Sequence, residues 1–395
     1  MRTAILGGAL LTAGAVAVAC GVLPVADALA LWDRSWPILL FVAAITVFTE
    51  LSAEAGLFHH TAASIARWGR GRGLLLWLLV LALAVLSTAF LSLDTTAVLL
   101  TPVVVLLAHH AGLPPLPFAL TTVWIANTGS LFLPVSNLTN LLAAGRFGEH
   151  DPFAFLRVMA VPAAVAVVVP ASLLLIVHRR VLLARRRTGP GGAREEPVLS
   201  TGPARDPVLL GGAVLVLAAL LPLLVSGLPV WIPAAAAALA LGALFAWRRP
   251  SALRVGLLPW RLILLVAGLF LVVQAAHSLG LGELVMRFGG QGDDPLSLLR
   301  LAGSGALGAN AVDNLPAYLA LEPVADSPAR LAALLIGVNA GPLITPWASL
   351  ATLLWRDRLR ALGIEVSWWR YGLLGLVAAP LTVVAATLAL IAVGA

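Results

Sequence analysis

The chain has 395 residues, 61% of them hydrophobic and 11% charged, with a mean hydropathy of +1.00, which excludes a water-soluble globular domain. Its net charge of +7 comes from arginine alone, since no lysine occurs. The arginines cluster between apolar runs, so they read as anchors against anionic lipid and exclude a nucleic-acid surface.

A helix needs about 20 mostly apolar residues to cross a bilayer, and such runs fill most of the sequence. The first covers 4–26. Arg2 before it and Ala28-Leu29-Ala30 after it imitate a secretory signal, but the run is long for one, so residues 1–36 are expected to be a retained leading transmembrane helix. It contains Cys20, the single cysteine, which leaves no disulfide framework and no thiolate metal site. Runs at 37–57, 74–92, 94–110, 117–134, 138–146 and 153–177 form a first repeat over 37–177. The one long polar stretch, 178–206, carries His178, Arg179, Arg180, Arg185, Arg186, Arg187 and a Gly189-Pro190-Gly191-Gly192 core, and reads as a cytoplasmic linker. Two connecting helices, 207–226 and 229–247, lie within 207–258. Runs at 259–280, 297–311, 314–324, 330–346, 348–355 and 371–393 form a second repeat over 259–395. Several of these are too short to cross alone, which predicts broken or re-entrant helices.

A polar phrase occurs twice. Asn127-Thr128-Gly129-Ser130-Leu131-Phe132-Leu133-Pro134 returns as Asn339-Ala340-Gly341-Pro342-Leu343-Ile344-Thr345-Pro346, at a constant offset of 212. Ser136-Asn137-Leu138-Thr139-Asn140 likewise lies over Ala348-Ser349-Leu350-Ala351-Thr352. Duplicated Gly/Pro interruptions of apolar segments point to the binding site of a secondary transporter. Arginine placement gives the sense of each half. Arg67, Arg70 and Arg72 follow the lead helix of the first, whereas Arg287 is outnumbered by Glu283, Asp293 and Asp294 in the second. Near the end of each half the bias reverses: Arg146 and Arg157 balance Glu149 and Asp151, but Arg356, Arg358, Arg360 and Arg370 outnumber Asp357 and Glu365. With positive loops inside, the halves cross in opposite senses and the N-terminus is cytoplasmic. The expected fold is an all-α polytopic protein of the plasma (inner) membrane, with two inverted-topology repeats, re-entrant hairpins and broken helices.

Asp94, in Leu91-Ser92-Leu93-Asp94-Thr95-Thr96-Ala97, and Asp313, in Asn310-Ala311-Val312-Asp313-Asn314-Leu315-Pro316, lie between apolar helices. An ionisable group at membrane depth costs about 2.5–3.5 kcal/mol on insertion scales and serves function by default, which makes both candidates for proton or ion coupling. The competing role for each is a helix cap. The candidate substrate-binding residues are Asn127, Thr128, Ser130, Ser136, Asn137 and Thr139 in the first half, and Asn310, Asn314, Asn339, Thr345, Ser349 and Thr352 in the second. Two unwound segments would line a neutral, hydroxyl-friendly pocket near the midplane. The competing role is interhelical hydrogen bonding.

Weaker signals are Glu50 and Glu54, one turn apart at a span end, and Gln274 with His277 at another. His59, His60, His109 and His110 read as interfacial, Gly69-Arg70-Gly71-Arg72-Gly73 as an interfacial turn, and Trp68, Trp77, Trp368 and Trp369 as belt residues. HExxH, G-x-S-x-G and CxxC are absent, and Glu195-Glu196 lies in the linker, so no catalytic site, metal site or cofactor is expected and the chain does not read as an enzyme.

At Ala66-Arg67-Trp68-Gly69-Arg70-Gly71-Arg72-Gly73, at Asp94 to Pro102, at Ser136-Asn137-Leu138 and from Gly341-Pro342 to Trp355, the chain resembles the arsenite permeases of the arsenical pump membrane family, in the ion transporter superfamily. The resemblance runs from about Trp36 through nearly the whole chain. It implies a monomeric or dimeric carrier with paired re-entrant hairpins that exports arsenite or antimonite against protons, alone or with a soluble ATPase partner. Two departures stand out: Leu93 replaces an asparagine before the first Asp, and the positions near Asn127 and Asn339-Ala340 are neutral where the permeases carry an acid. They keep open a sodium/proton antiporter or a citrate-like carboxylate transporter of the same superfamily.

Overall fold

The computed structural model describes residues 2–69, 72–148, 151, 153–183 and 206–394. Most of the 178–206 linker, together with Arg70, Gly71, Glu149 and the C-terminal residue, lies outside the described residues. The described chain is helical, and eight of its helices are long and apolar enough to cross a membrane.

Helix α1 (Arg2–Ala19) is followed by α2 (Val25–Glu54), a 30-residue helix with Pro37 inside it. The expected boundary at 36/37 therefore falls within a continuous helix. Asp27 occupies its first turn, where a carboxylate complements the helix dipole, and Arg34 is paired with Glu322 from the other half. Ala28-Leu29-Ala30 lies in the same helix. After the short α3 (Leu57–Trp68) come α4 (Gly73–Leu91), α5 (Leu93–Thr95), a π-helical turn at Thr96–Leu100 and α6 (Thr101–His110). Gly73 starts α4, and a Cβ there would lie 3.6 Å from the Leu113 side chain, just past α6. The two limbs thus run antiparallel with both feet on one face, a re-entrant hairpin turning at Ser92.

The chain crosses next as a broken helix, α7 (Pro115–Thr128), irregular backbone over 129–137, and α8 (Leu138–Ala144). It returns as α9 (Ala154–Leu182), whose last carbonyl meets Gly73. Helices α10 (Pro207–Leu224) and α11 (Trp231–Arg248) form an antiparallel pair tied at its open end by Asp206 and Arg248, 2.9 Å apart.

In the second half, α12 (Trp260–Ser278) runs parallel to α1, with Gly7 against Leu265 and Gly14 against Leu271. After α13 (Leu281–Gly289), helices α14 (Pro295–Ala311) and α15 (Asn314–Leu321) make the second hairpin, with Gly308 packed on Ala317 near its tip. A second broken crossing follows: α16 (Pro328–Ala340), irregular backbone over 341–349, and α17 (Leu350–Ala361); α18 (Trp368–Ala392) ends the fold.

Two sets of polar contacts mark two faces. On one, Glu54 meets Arg249 and Arg254, and Asp206 meets Arg248. On the other, Arg34 and Arg146 converge on Glu322, and Arg330 holds the carbonyls of Gly289, Gly290, Gly292 and Val324. Arg34 and Glu54 share α2, about 30 Å apart at 1.5 Å per residue, so the faces are a bilayer's thickness apart. The first hairpin stands on the Arg248 face and the second on the Arg330 face. Of the expected belt tryptophans, Trp68 and Trp369 are exposed, but Trp77 is buried and donates to Thr121 Oγ1 at 2.8 Å, because α4 turns that side of its first turns toward α7.

Candidate transport site

The two hairpin tips share a backbone device. Ser92 (φ 100°) and Asp313 (φ 147°) are the two non-glycine residues with positive φ among the described residues. Such conformations cost about 1–3 kcal/mol and persist at sites the surrounding fold over-determines. Each residue caps the helix that follows: Ser92 Oγ accepts from Thr95 N at 3.3 Å, and Asp313 Oδ1 accepts from Leu315 N at 3.2 Å. The sequence pairing of Asp94 with Asp313 is therefore out of register by two residues, and Asp313 does the capping that Ser92 does in the first half. Asp94 is not a cap, and its Oδ1 is buried with no donor.

Each unwound segment is stapled to the hairpin of its own half. Ser136 Oγ donates to Ala89 O at 2.8 Å, three residues before Ser92. In the second half, three residues before Asp313, Asn310 O accepts from Thr345 Oγ1 (2.8 Å) and Trp347 Nε1 (2.9 Å). Its side chain donates to Gly341 O (2.8 Å) and accepts from Ile344 N and Thr345 N. Asn310 thus serves the backbone left unpaired by the break. The break also needs close approach: a Cβ on Gly375 of α18 would lie 2.0 Å from Leu343 O, and one on Gly341 2.5 Å from the Ala306 Cβ.

The two broken helices meet through one asparagine. Asn339 Oδ1 accepts from Asn137 Nδ2 (2.7 Å) and Thr139 Oγ1 (3.1 Å), and Asn339 Nδ2 donates to Asn140 Oδ1 (2.9 Å). Asn140 Nδ2 donates on to Ser130 O and Leu133 O. All four side chains are buried. The structure joins Asn137, Thr139 and Asn339, as the repeat suggests, but their hydrogen bonds are spent on one another. Thr128 and Ser130 bond to carbonyls of their own segment, as does Asn127 through its Nδ2, while Asn127 Oδ1 is unpartnered; Asn314 is buried at the start of α15.

Unspent polar groups gather elsewhere. Ser349 Oγ, Thr352 Oγ1 and Trp355 Nε1 on α17, Trp124 Nε1 on α7, Tyr371 OH on α18 and Asp94 Oδ1 are all buried without a partner in hydrogen-bond geometry. Helix α17 packs on the limb carrying Asp94 and on α7. The Trp355 and Tyr371 rings lie 6.0 Å apart, and the Tyr371 hydroxyl faces Thr352 and Trp124. A buried polar atom left unpaired costs about 1–3 kcal/mol, and a concentration of them beside a free carboxylate is what a polar ligand would satisfy. Of this set, Asp94, Ser349 and Thr352 are among the candidates named from the sequence, whereas Trp124, Trp355 and Tyr371 are not. The available signal was that Trp355 closes the second repeated phrase, and that the chain's only two tyrosines lie in apolar helices of the second half.

The weaker candidates lie at the faces. Glu50, Glu54 and His59 line a cavity of about 680 Å³ on the Arg248 face. Gln274 and His277 line one of about 320 Å³ beside Arg34, Arg146 and Glu322, where His277 Nε2 lies 3.1 Å from Leu319 O.

A citrate transporter family profile matches residues 3–352. The arsenical pump membrane proteins of Escherichia coli (strain K12) and Yersinia enterocolitica are each 30% identical to this chain, over 93% and 92% of it and over 89% and 88% of their own lengths. In fold, the chain is similar to the Alcanivorax borkumensis YdaH transporter, whose crystal structure reveals an unusual topology; the TM-score is 0.59 at 17% identity, covering 100% of this chain and 98% of that one. With its eight apolar helices, this chain is a multi-pass membrane transporter and belongs to the arsenical pump membrane protein family, within the span of the citrate transporter profile.

Proposed function

We propose that the protein exports arsenite and antimonite in exchange for inward-moving protons, with Asp94 as the proton-carrying group and a pocket of hydroxyl and indole N–H groups as the solute site. The observation that carries this reading is the set of orphaned buried atoms. Ser349, Thr352, Trp124, Trp355 and Tyr371 offer neutral donors and acceptors to a neutral, hydroxyl-bearing acid, and Asp94 supplies the one carboxyl group among them. A proton moving inward carries charge worth about 2.3 kcal/mol per 100 mV, which sustains roughly a fiftyfold solute gradient at tenfold per 1.4 kcal/mol. The names of the arsenical pump relatives support the substrate class.

Purified protein in proteoliposomes tests this. Arsenite flux should follow an imposed pH gradient and vanish in Asp94→Asn, which keeps the side-chain shape but cannot cycle a proton. Flux that ignores the pH gradient in the wild type would overturn proton coupling. Topology is tested separately: with Cys20 replaced, a cysteine at Ser251 should resist impermeant thiol reagents in intact cells, and one at Gln291 should label.

A carboxylate substrate is the second reading, supported by the family profile and by Arg356. Its Nε is buried without a hydrogen bond, 3.9 Å from Asp357 Oδ1 and one turn beyond Thr352 on α17, with the guanidinium 5.6 Å from the Trp368 ring centroid. Citrate flux lost in Arg356→Gln, without arsenite flux in the wild type, would decide for it.

A further inference from the structure

We infer that the cavity of about 680 Å³ on the Arg248 face is a binding site for the phosphate of an anionic phospholipid, independent of which solute is transported. Four guanidiniums reach it, those of Arg248, Arg249, Arg254 and Arg358, against the carboxylates of Glu50, Glu54 and Asp206. That leaves one guanidinium in excess of the carboxylates.

The pairing is uneven. Arg248 and Asp206 make a close pair at 2.9 Å, which holds the Asp206 carboxyl below its usual range, and Asp206 also caps α10 through Val208 N and Leu209 N. Arg249 and Arg254 share the single carboxylate of Glu54 at 3.6 and 3.7 Å. Those distances exceed the 2.7–2.9 Å or so of a charge-assisted hydrogen bond, so both forks retain donors for an incoming oxyanion. Arg358, exposed on α17, has no carboxylate partner among the described residues. Guanidinium forks of this kind match phosphate oxygens.

The remaining walls say that the anion belongs to a lipid. Val98, Leu99 and Leu209 contribute apolar surface to the cavity, which a free phosphate would not use. The chain around Arg248 and Arg254 exposes Trp247 (74%), Val255 (81%) and Trp260 (44%), the pattern of side chains seated at the headgroup level. A bound lipid here would bridge α11 and the loop after it to α17 of the second half. It would also touch the π-helical turn of the first hairpin, through Val98 and Leu99, just beyond Asp94.

The full chain in nanodiscs of phosphatidylcholine, with and without phosphatidylglycerol, provides the test. Thermal unfolding should shift upward with phosphatidylglycerol, and native mass spectrometry should show retained phosphatidylglycerol. Each guanidinium near an anionic headgroup contributes about fivefold to association. Arg254→Gln with Arg358→Gln should therefore weaken lipid retention roughly thirtyfold and remove most of the thermal shift. Arg370→Gln, a charge loss on the same face outside the cavity, should retain both. Equal unfolding in the two lipid compositions, or a double variant that retains phosphatidylglycerol like the wild type, would overturn the site. So would an equal thermal shift from millimolar inorganic phosphate in detergent, which would make the occupant a free anion.

Discussion

At the tip of the first hairpin the capping residue is a serine, Ser92, and the acid two residues later has a buried oxygen with no donor; at the tip of the second, the acid Asp313 is itself the cap. The two tips have the same strained backbone and the same job of starting a helix at membrane depth. They differ in what is left over once that job is done. A helix start supplies free N–H groups and a positive dipole end, which any small oxygen-bearing side chain can use. Where serine does so, a carboxylate nearby is released for other work. The broken helices differ in the same way: the first half contributes Asn137, Thr139 and Asn140 to the joint with Asn339, whereas the second contributes Ser349 and Thr352 to the unpaired set. The two halves therefore build similar hairpins and broken helices but leave different polar groups unpaired.

The strongest way to break this comparison is to neutralise the two acids in turn. Asp94→Asn should reduce proton-driven flux in proteoliposomes to the level of protein-free vesicles. Asp313→Asn should retain most of the flux, because asparagine caps as well as aspartate; if both variants fail alike, the tips are functional equivalents and the comparison is wrong. The next largest effect is on the joint. Asn339→Ala would leave Asn137 Nδ2, Thr139 Oγ1 and Asn140 Oδ1 without partners, costing roughly 3 kcal/mol, visible as a lower unfolding temperature in detergent. Gly375→Ala should destabilise by about 1–3 kcal/mol or more through overpacking against Leu343 O, which a Cβ would meet at 2.0 Å. Ser349→Ala sharpens the contrast from the other side. It deletes a hydroxyl that bonds to nothing in the fold, so stability should hold while apparent arsenite affinity falls roughly threefold to tenfold, the worth of one neutral hydrogen bond. The smallest effect is the stability change in Asp313→Asn, expected within about 0.5 kcal/mol by equilibrium unfolding.

Asn137, Thr139 and Asn339, candidates for substrate binding by their recurrence in the sequence, hydrogen-bond to one another in the structure. Sequence shows that polar residues recur at a fixed spacing, but not whether each will meet a ligand or a neighbour. Asn339 lies about 200 residues from Asn137, and only the packing of α16 against the first half puts their amides 2.7 Å apart. A hydrogen bond between two buried side chains removes both from the supply available to a solute, so the residues left without one are the better site candidates.

The membrane class, the all-helical fold and the breaks near Ser92, Gly129, Asp313 and Gly341 are legible in the sequence, which also singles out Asp94 as an acid at membrane depth. Each of these follows from local chemistry: apolar runs long enough for a bilayer, Gly and Pro that free backbone groups, and a carboxylate in a hydrocarbon setting. The boundary placed at 36/37 falls inside α2, a continuous helix that contains Pro37 and whose Arg34 pairs with Glu322 of the other half. Which acid caps, which amides pair across the halves, and that Trp124, Trp355 and Tyr371 join the unpaired hydroxyls of α17 are visible in the folded chain alone. Those outcomes depend on contacts between segments distant in the chain, where burial turns a polar atom's partner, or its lack of one, into kilocalories.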